Sequence, residues 1–114
     1  MPVRTIKVLR AARKLVANPK TWTQLAAARD PDGEAQPATS PDAVCWCAWG
    51  AMVQSAVRLG LSTRDTDPLD DALNKLAERR GFSGLIGAND QHGRLAALQV
   101  IDDAIAELKA RGEA

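Results

Sequence analysis

The sequence predicts an all-α fold, a small four-helix bundle around a buried central helix. Three observations point there. Apolar residues recur at helical spacing in several separate stretches. The apolar content is mostly Ala and Leu, which favour helix over sheet. Finally, "AVCWCAWGAM" at 43–52 has no charged side chain and holds both cysteines and two of the three tryptophans. A helix apolar on every side must be surrounded by protein.

The first element is expected over residues 3–17. Thr5, Val8, Leu9, Ala12, Leu15 and Val16 fall on one arc, and Arg4, Lys7, Arg10 and Lys14 on the other. Asn18-Pro19 ends it, because the residue before proline is pushed out of the helical region. Residues 22–40 change character around Asp30-Pro31-Asp32-Gly33, a turn sequence. They read either as a short helix and loop or as a small β-hairpin wrapping the bundle. The central helix is expected from Ser40-Pro41-Asp42, a capping residue followed by proline and an acid, to Leu59, with Gly60 as its stop. Gly50 inside it lowers helix propensity by about 1 kcal/mol, which close approach of another backbone would justify.

A third helix opens at Thr66-Asp67-Pro68, buries Leu69, Ala72, Leu73 and Leu76, and ends at Gly81, with Phe82 folding back. "SGLIGANDQHG" at 83–93 reads as an irregular connector. The last helix starts near Asp90 or Gly93 and reaches about Arg111, with Leu95, Leu98, Ile101, Ile105 and Leu108 as its stripe. The 114 residues make one domain.

Composition narrows the function classes. The longest apolar run, residues 43–53, is about half the roughly 18 residues of a membrane span. The basic N-terminus lacks the apolar stretch and cleavage site of a signal peptide. The expected setting is cytoplasmic, with reduced thiols and no membrane partner. The net charge of +1 hides an asymmetry: Arg4, Lys7, Arg10, Arg13, Lys14 and Lys20 precede every acidic residue. Such a face suits an acidic protein partner or nucleic acid, unless it docks on the acidic remainder of its own domain. No helix-turn-helix signature supports the nucleic-acid reading. A homodimer would be another way to complete a small core.

"WTQ" at 22–24, "RDPDG" at 29–33, "DAVCWCAWGAM" at 42–52, and "ND" at 89–90 followed by "GR" at 93–94 come in an order that resembles a family of small bacterial and phage proteins known only as a domain of unknown function. The resemblance runs from about residue 6 to 107. It implies a bacterial or prophage origin and carries no activity. Members often have a threonine and a polar residue after the Gly-Arg pair, where this chain has Leu95 and Ala96.

Cysteine chemistry is the enzymatic alternative. Cys45 or Cys47 would be the nucleophile, His92 the base, and Asn89 or Asp90 its orienting group. The "CWCAWGA" stretch resembles the helix start of papain-like proteases, which carry their histidine on a sheet that this sequence does not announce. On a helix the two cysteines would point about 200° apart and could share neither a metal nor a disulfide. Buried core thiols are the competing reading, and no metal or other cofactor is expected. Asp30, Asp32 and Glu34 lack the spacing of a calcium loop. Trp46 and Trp49 would share a helix face against which Trp22 packs. Asn89, Asp90, Gln24 and Arg94 would form a buried polar network. The leading expectation is a non-enzymatic protein-interaction module contacting its partner through Arg4, Lys7, Arg10 and Lys14.

Overall fold

A computed structural model describes residues 4–112, with the side chain of Arg4 outside the described part. It contains α1 (Arg4–Ala17), β1 (Ala28–Arg29), β2 (Ala35–Gln36), β3 (Cys45–Trp46), α2 (Ala48–Arg58), a 3-10 turn (Thr63–Thr66), α3 (Asp67–Arg79), α4 (Gly84–His92) and α5 (Arg94–Ala110). The protein is therefore mainly helical, with five helices and a three-stranded antiparallel sheet rather than four helices alone. α1 packs on α2 and α5, and α3 and α4 close the other side of α5. No helix among the described residues is long and apolar enough to cross a membrane.

α1 forms as its pattern requires. Val8, Leu9, Ala12 and Val16 are buried, joined by Ile6 and Thr5, while Lys7, Arg10, Arg13 and Lys14 face outward. Its last carbonyls find partners outside the helix: Thr21 Oγ1 donates to Leu15 O (2.6 Å) and Arg94 Nη1 to Ala17 O (2.8 Å). Arg13 pairs with Asp102 on α5, so the basic segment is partly docked on its own domain.

The hairpin alternative for residues 22–40 is the one that holds. β1 is central, in the order β2-β1-β3. Asp30 builds the tip by accepting from the N–H groups of Asp32 (3.0 Å) and Glu34 (2.9 Å), and Gly33 takes φ 83°.

The central helix begins later than its capping signal suggested. Ser40 does accept from Asp42 N–H (3.2 Å), and Ala43 N–H donates to Ser40 O (3.2 Å), but they close a turn rather than a first helical turn. Ser-Pro-Asp suits both conformations. The backbone that follows is claimed by its neighbours instead. Val44 N–H donates to Arg29 O, Trp46 N–H to Thr21 O, and Cys47 N–H to Ala27 O. Helix geometry starts only at Ala48, with the still extended Cys47 as the N-cap of α2. Cys45 and Cys47 therefore lie two apart on extended chain, on the same side rather than on opposite faces. Trp46 and Trp49 likewise do not share a helix face: Trp46 is on β3 and Trp49 on α2.

Within α2, Ala48, Gly50, Ala51, Met52, Val53, Ser55 and Ala56 are buried. Gly50 has the close neighbour its presence called for, the backbone of Ala27. α3 starts and stops where expected, and Phe82 N–H returns to Ala77 O (3.0 Å) after Gly81. Thr66 contributes no capping bond; its hydroxyl turns back to Thr63 O.

The expected connector at 83–93 is α4. Its glycines read as breakers, yet tertiary packing holds the helix. Leu85, Gly87, Ala88 and Asn89 are buried, and Asn74 Oδ1 accepts from Leu85 N–H (2.8 Å) at its start. α5 follows at Gly93, with its buried face rotated from the leucine stripe. Ala96, Ala97, Val100, Ile101, Ala104, Ile105 and Leu108 point inward, whereas Leu95 is 65% exposed. The largest fully buried side chains are Ile6, Leu9, Met52, Leu73, Leu85 and Ile101. Each contributes about 1.5–3 kcal/mol by leaving water.

Candidate functional site

The polar network expected around Asn89 exists, and it joins the 22–25 segment that leads into β1 to α2 and α4. Asn89 is fully buried on α4. Its Oδ1 accepts from Trp22 Nε1 (2.7 Å) and from Ala48 N–H (3.0 Å), the first amide of α2. Its Nδ2 donates to Thr23 O (3.1 Å) and Asp90 Oδ1 (2.9 Å). Gln24 Nε2 donates to Asn89 O (3.0 Å), and Asp90 Oδ1 accepts from Leu25 N–H (3.0 Å). Leu25, a non-glycine residue with positive φ (66°), is thus held by that carboxylate. Asn89 does cap a helix, but it is α2 and not the one that follows it in sequence. Arg94 stays out of this network and serves the end of α1. All four hydrogen-bonding positions of the Asn89 amide are used, which is how a buried polar side chain avoids a desolvation penalty.

Cys47 lies beside this junction. It is 5% exposed, and its sulfur accepts from Gly50 N–H (3.3 Å). Burial pushes its pKa up, the nearby Asp90 charge works the same way, and the Gly50 N–H opposes them. Cys45 is half-buried, with its sulfur 4.0 Å from Arg29 O. His92, at the exposed end of α4, stacks on Phe82 with ring centres 4.8 Å apart. Asp90 is engaged with Leu25 and Asn89. Among the described residues no hydrogen bond joins His92 to either sulfur, and His92 is not on the sheet. Because the thiolate is the reactive form, iodoacetamide at pH 7.5 is expected to alkylate Cys45 before Cys47. Cys47 should remain slow even at the ordinary thiol value of about 8.5, because burial holds its own value higher. Peptide mapping reads the order; faster labelling of Cys47 would contradict the burial argument.

No cluster of three or more His, Cys, Asp or Glu side chains is placed to hold a metal among the described residues. The Asp30 carboxylate serves the hairpin tip and Gln36 Nε2 (3.2 Å).

The basic residues meet a second helix. A groove of about 400 Å³ runs between α1 and the C-terminal half of α2. Lys7, Arg10 and Lys14 line one side, Arg58 and Leu59 the other, and Ala11, Leu15 and Ser55 complete it. None of these lining residues is acidic. Leu59 is 39% exposed and Leu15 half-buried. Arg58 is positioned by the Trp46 ring, 5.6 Å from its guanidinium carbon. With the Gln54 amide turned oxygen-first, that oxygen accepts from Arg58 Nε and Nη2 at 3.2 Å. Trp46 itself is anchored through Nε1 to Ala38 O (2.8 Å). Arg4 opens α1, but its side chain lies outside the described residues. Arg58 was not singled out by sequence reasoning, and Ser55 only as one of a strip of small residues, with Cys47, Gly50 and Ala51, suited to close approach of another backbone. Helical phase places the three cations on one face, but no local signal reports which other helix faces them.

The profile of a family described as "Family of unknown function (DUF6197)" matches residues 1–107. The chain belongs to that family. No curated protein and no solved structure shows significant similarity to it. Segments through which the chain resembles the DUF6197 pattern converge in space. Trp22 and Gln24 reach α4, Asn89 reaches the first amide of α2, and Gly50 touches Ala27. In this DUF6197 member the segments at 22–24, 42–52 and 89–90 meet at the junction, whereas 29–33 forms the hairpin tip and Arg94 serves the end of α1; the basic groove lies on residues outside all of these, at 7–15, or at the far end of α2.

Proposed function

We propose that this DUF6197 chain is a protein-interaction module that takes an acidic segment of a partner protein into the groove between α1 and α2. One observation carries the reading: Lys7, Arg10, Lys14 and Arg58 line a single groove with no acid among its lining residues. Cations at helical i,i+3 and i,i+4 spacing repel one another by a few tenths of a kcal/mol per pair, and an anionic occupant relieves that repulsion. The three on α1 span about 10 Å of helix, enough to meet several carboxylates, with Leu15 and Leu59 offering an apolar contact between them. Opposite charge also speeds encounter and fixes register. A bacterial or prophage origin, implied by the resemblance, agrees with a small accessory binding domain.

The experiment is fluorescence anisotropy with labelled poly-L-glutamate at about 50 mM salt, a screening regime in which surface charge still acts over roughly 10 Å or more. Wild-type protein is expected to bind. The triple variant Lys7→Glu, Arg10→Glu, Lys14→Glu is expected to bind at least tenfold more weakly with an unchanged circular dichroism spectrum. Absence of wild-type binding, or equal binding by the variant, overturns the reading. Tighter binding of single- or double-stranded DNA than of polyglutamate replaces it with nucleic-acid recognition.

A further inference from the structure

The floor of the groove contains a buried hydroxyl with no partner among the described residues. Ser55 is 3% exposed on α2 and lines the groove beside Arg58. Inside a helix, a serine usually donates to the carbonyl four residues back. Among the described residues Ser55 Oγ has no hydrogen-bond partner, neither Ala51 O nor any other group, whereas the Thr66 hydroxyl of the 3-10 turn is bonded to Thr63 O. A buried hydroxyl without a partner is unfavourable and calls for an acceptor from outside the fold.

We infer that Ser55 Oγ and the Arg58 guanidinium form a subsite for one carboxylate side chain of the bound acidic segment. The inference rests on the reading of the groove as an acidic-peptide site and names the group that enters it. The residue chemistry fits. The hydroxyl has a free proton to donate, and an ionised carboxylate only accepts. With its Nε and one Nη2 hydrogen on the turned Gln54 amide and its plane near Trp46, Arg58 keeps the Nη1/Nη2 end of the guanidinium for two carboxylate oxygens, so less ordering is needed on binding. Lys7, Arg10 and Lys14 supply the surrounding positive field, and a hydrogen bond to a charged acceptor is stronger than one between neutral groups.

The test uses the full chain, poly-L-glutamate as probe, and the variants Ser55→Ala and Arg58→Gln. Ser55→Ala is expected to weaken binding about tenfold, with the same salt dependence as wild type because no charge is lost. Its Tm should be equal to or above wild type, since an unpartnered hydroxyl has been removed. Arg58→Gln, on the exposed rim, is expected to weaken binding and also to flatten the salt dependence. If Ser55→Ala binds like wild type while the triple charge reversal does not, the subsite is wrong and the acidic-peptide reading stands. If wild type does not bind polyglutamate at all, both fall. A lowered Tm for Ser55→Ala shows that the hydroxyl is bonded within the fold and overturns the subsite. If the Ser55→Ala loss appears with inorganic polyphosphate and not with polyglutamate, the carboxylate assignment is overturned in favour of phosphate.

Discussion

Asn89→Ala is expected to lower Tm by about 15 °C. The amide sits fully buried between three elements and satisfies Trp22 Nε1, Ala48 N–H and Thr23 O. Alanine strands all three and leaves a small void. Each unsatisfied buried group costs about 1–3 kcal/mol, so roughly 3–4 kcal/mol in total follows if the half-buried tryptophan and the Thr23 carbonyl are partly rescued by water. For a domain of this size that corresponds to about 4 °C per kcal/mol. Differential scanning calorimetry reads the shift. Asn89→Asp keeps the shape but turns an oxygen toward Thr23 O and the Asp90 carboxylate, where a donor stood. Its loss should shrink as pH falls, because burial and Asp90 raise the folded pKa of the new carboxyl above its unfolded value. A shift below about 3 °C for Asn89→Ala would mean that the junction does not depend on this side chain.

Gly50→Ala is expected to destabilise the fold by about 3 kcal/mol, although alanine is the better helix former by about 1 kcal/mol. A Cβ built at Gly50 would lie 2.0 Å from Ala27 O and 2.9 Å from its carbonyl carbon. Both are backbone atoms, and Ala27 O also accepts from Cys47 N–H (3.1 Å). No rotamer change relieves such a contact; the strand must move off the helix and lose that bond. Urea denaturation should show the midpoint falling with an unchanged slope. A midpoint at or above wild type would show that the Ala27 segment is free to shift, and the tight strand-on-helix contact would then be wrong.

Gly50 is also where the sequence was most informative, since a glycine in a long apolar helix needs a backbone neighbour and has one. The amphipathic phase of α1, the Asp-Pro start and glycine stop of α3, and the Asp-Pro-Asp-Gly turn were legible for the same reason. Each is a local pattern with a local cause. Three features were not. Residues 40–47 carry helix-start chemistry and continuous apolar character, which a turn and a buried strand share; pairing with Arg29, Thr21 and Ala27 decided between them. Gly84 and Gly87 hid α4, whose stability comes from burying Leu85, Ala88 and Asn89. The leucine stripe of α5 includes Leu95, which tertiary packing leaves in solvent. Of the candidate site, Lys7, Arg10 and Lys14 were visible as one face, whereas Ser55 and Arg58 meet them only through the packing of α1 on α2.

The most direct measurement is amide chemical-shift mapping of the 15N-labelled protein during titration with poly-L-glutamate. The account predicts perturbations concentrated at residues 7–15 and 54–59, with Gln54, Ser55 and Arg58 among the largest. Perturbations centred instead on Leu25, α4 or the hairpin tip, with the α1–α2 groove silent, would contradict it.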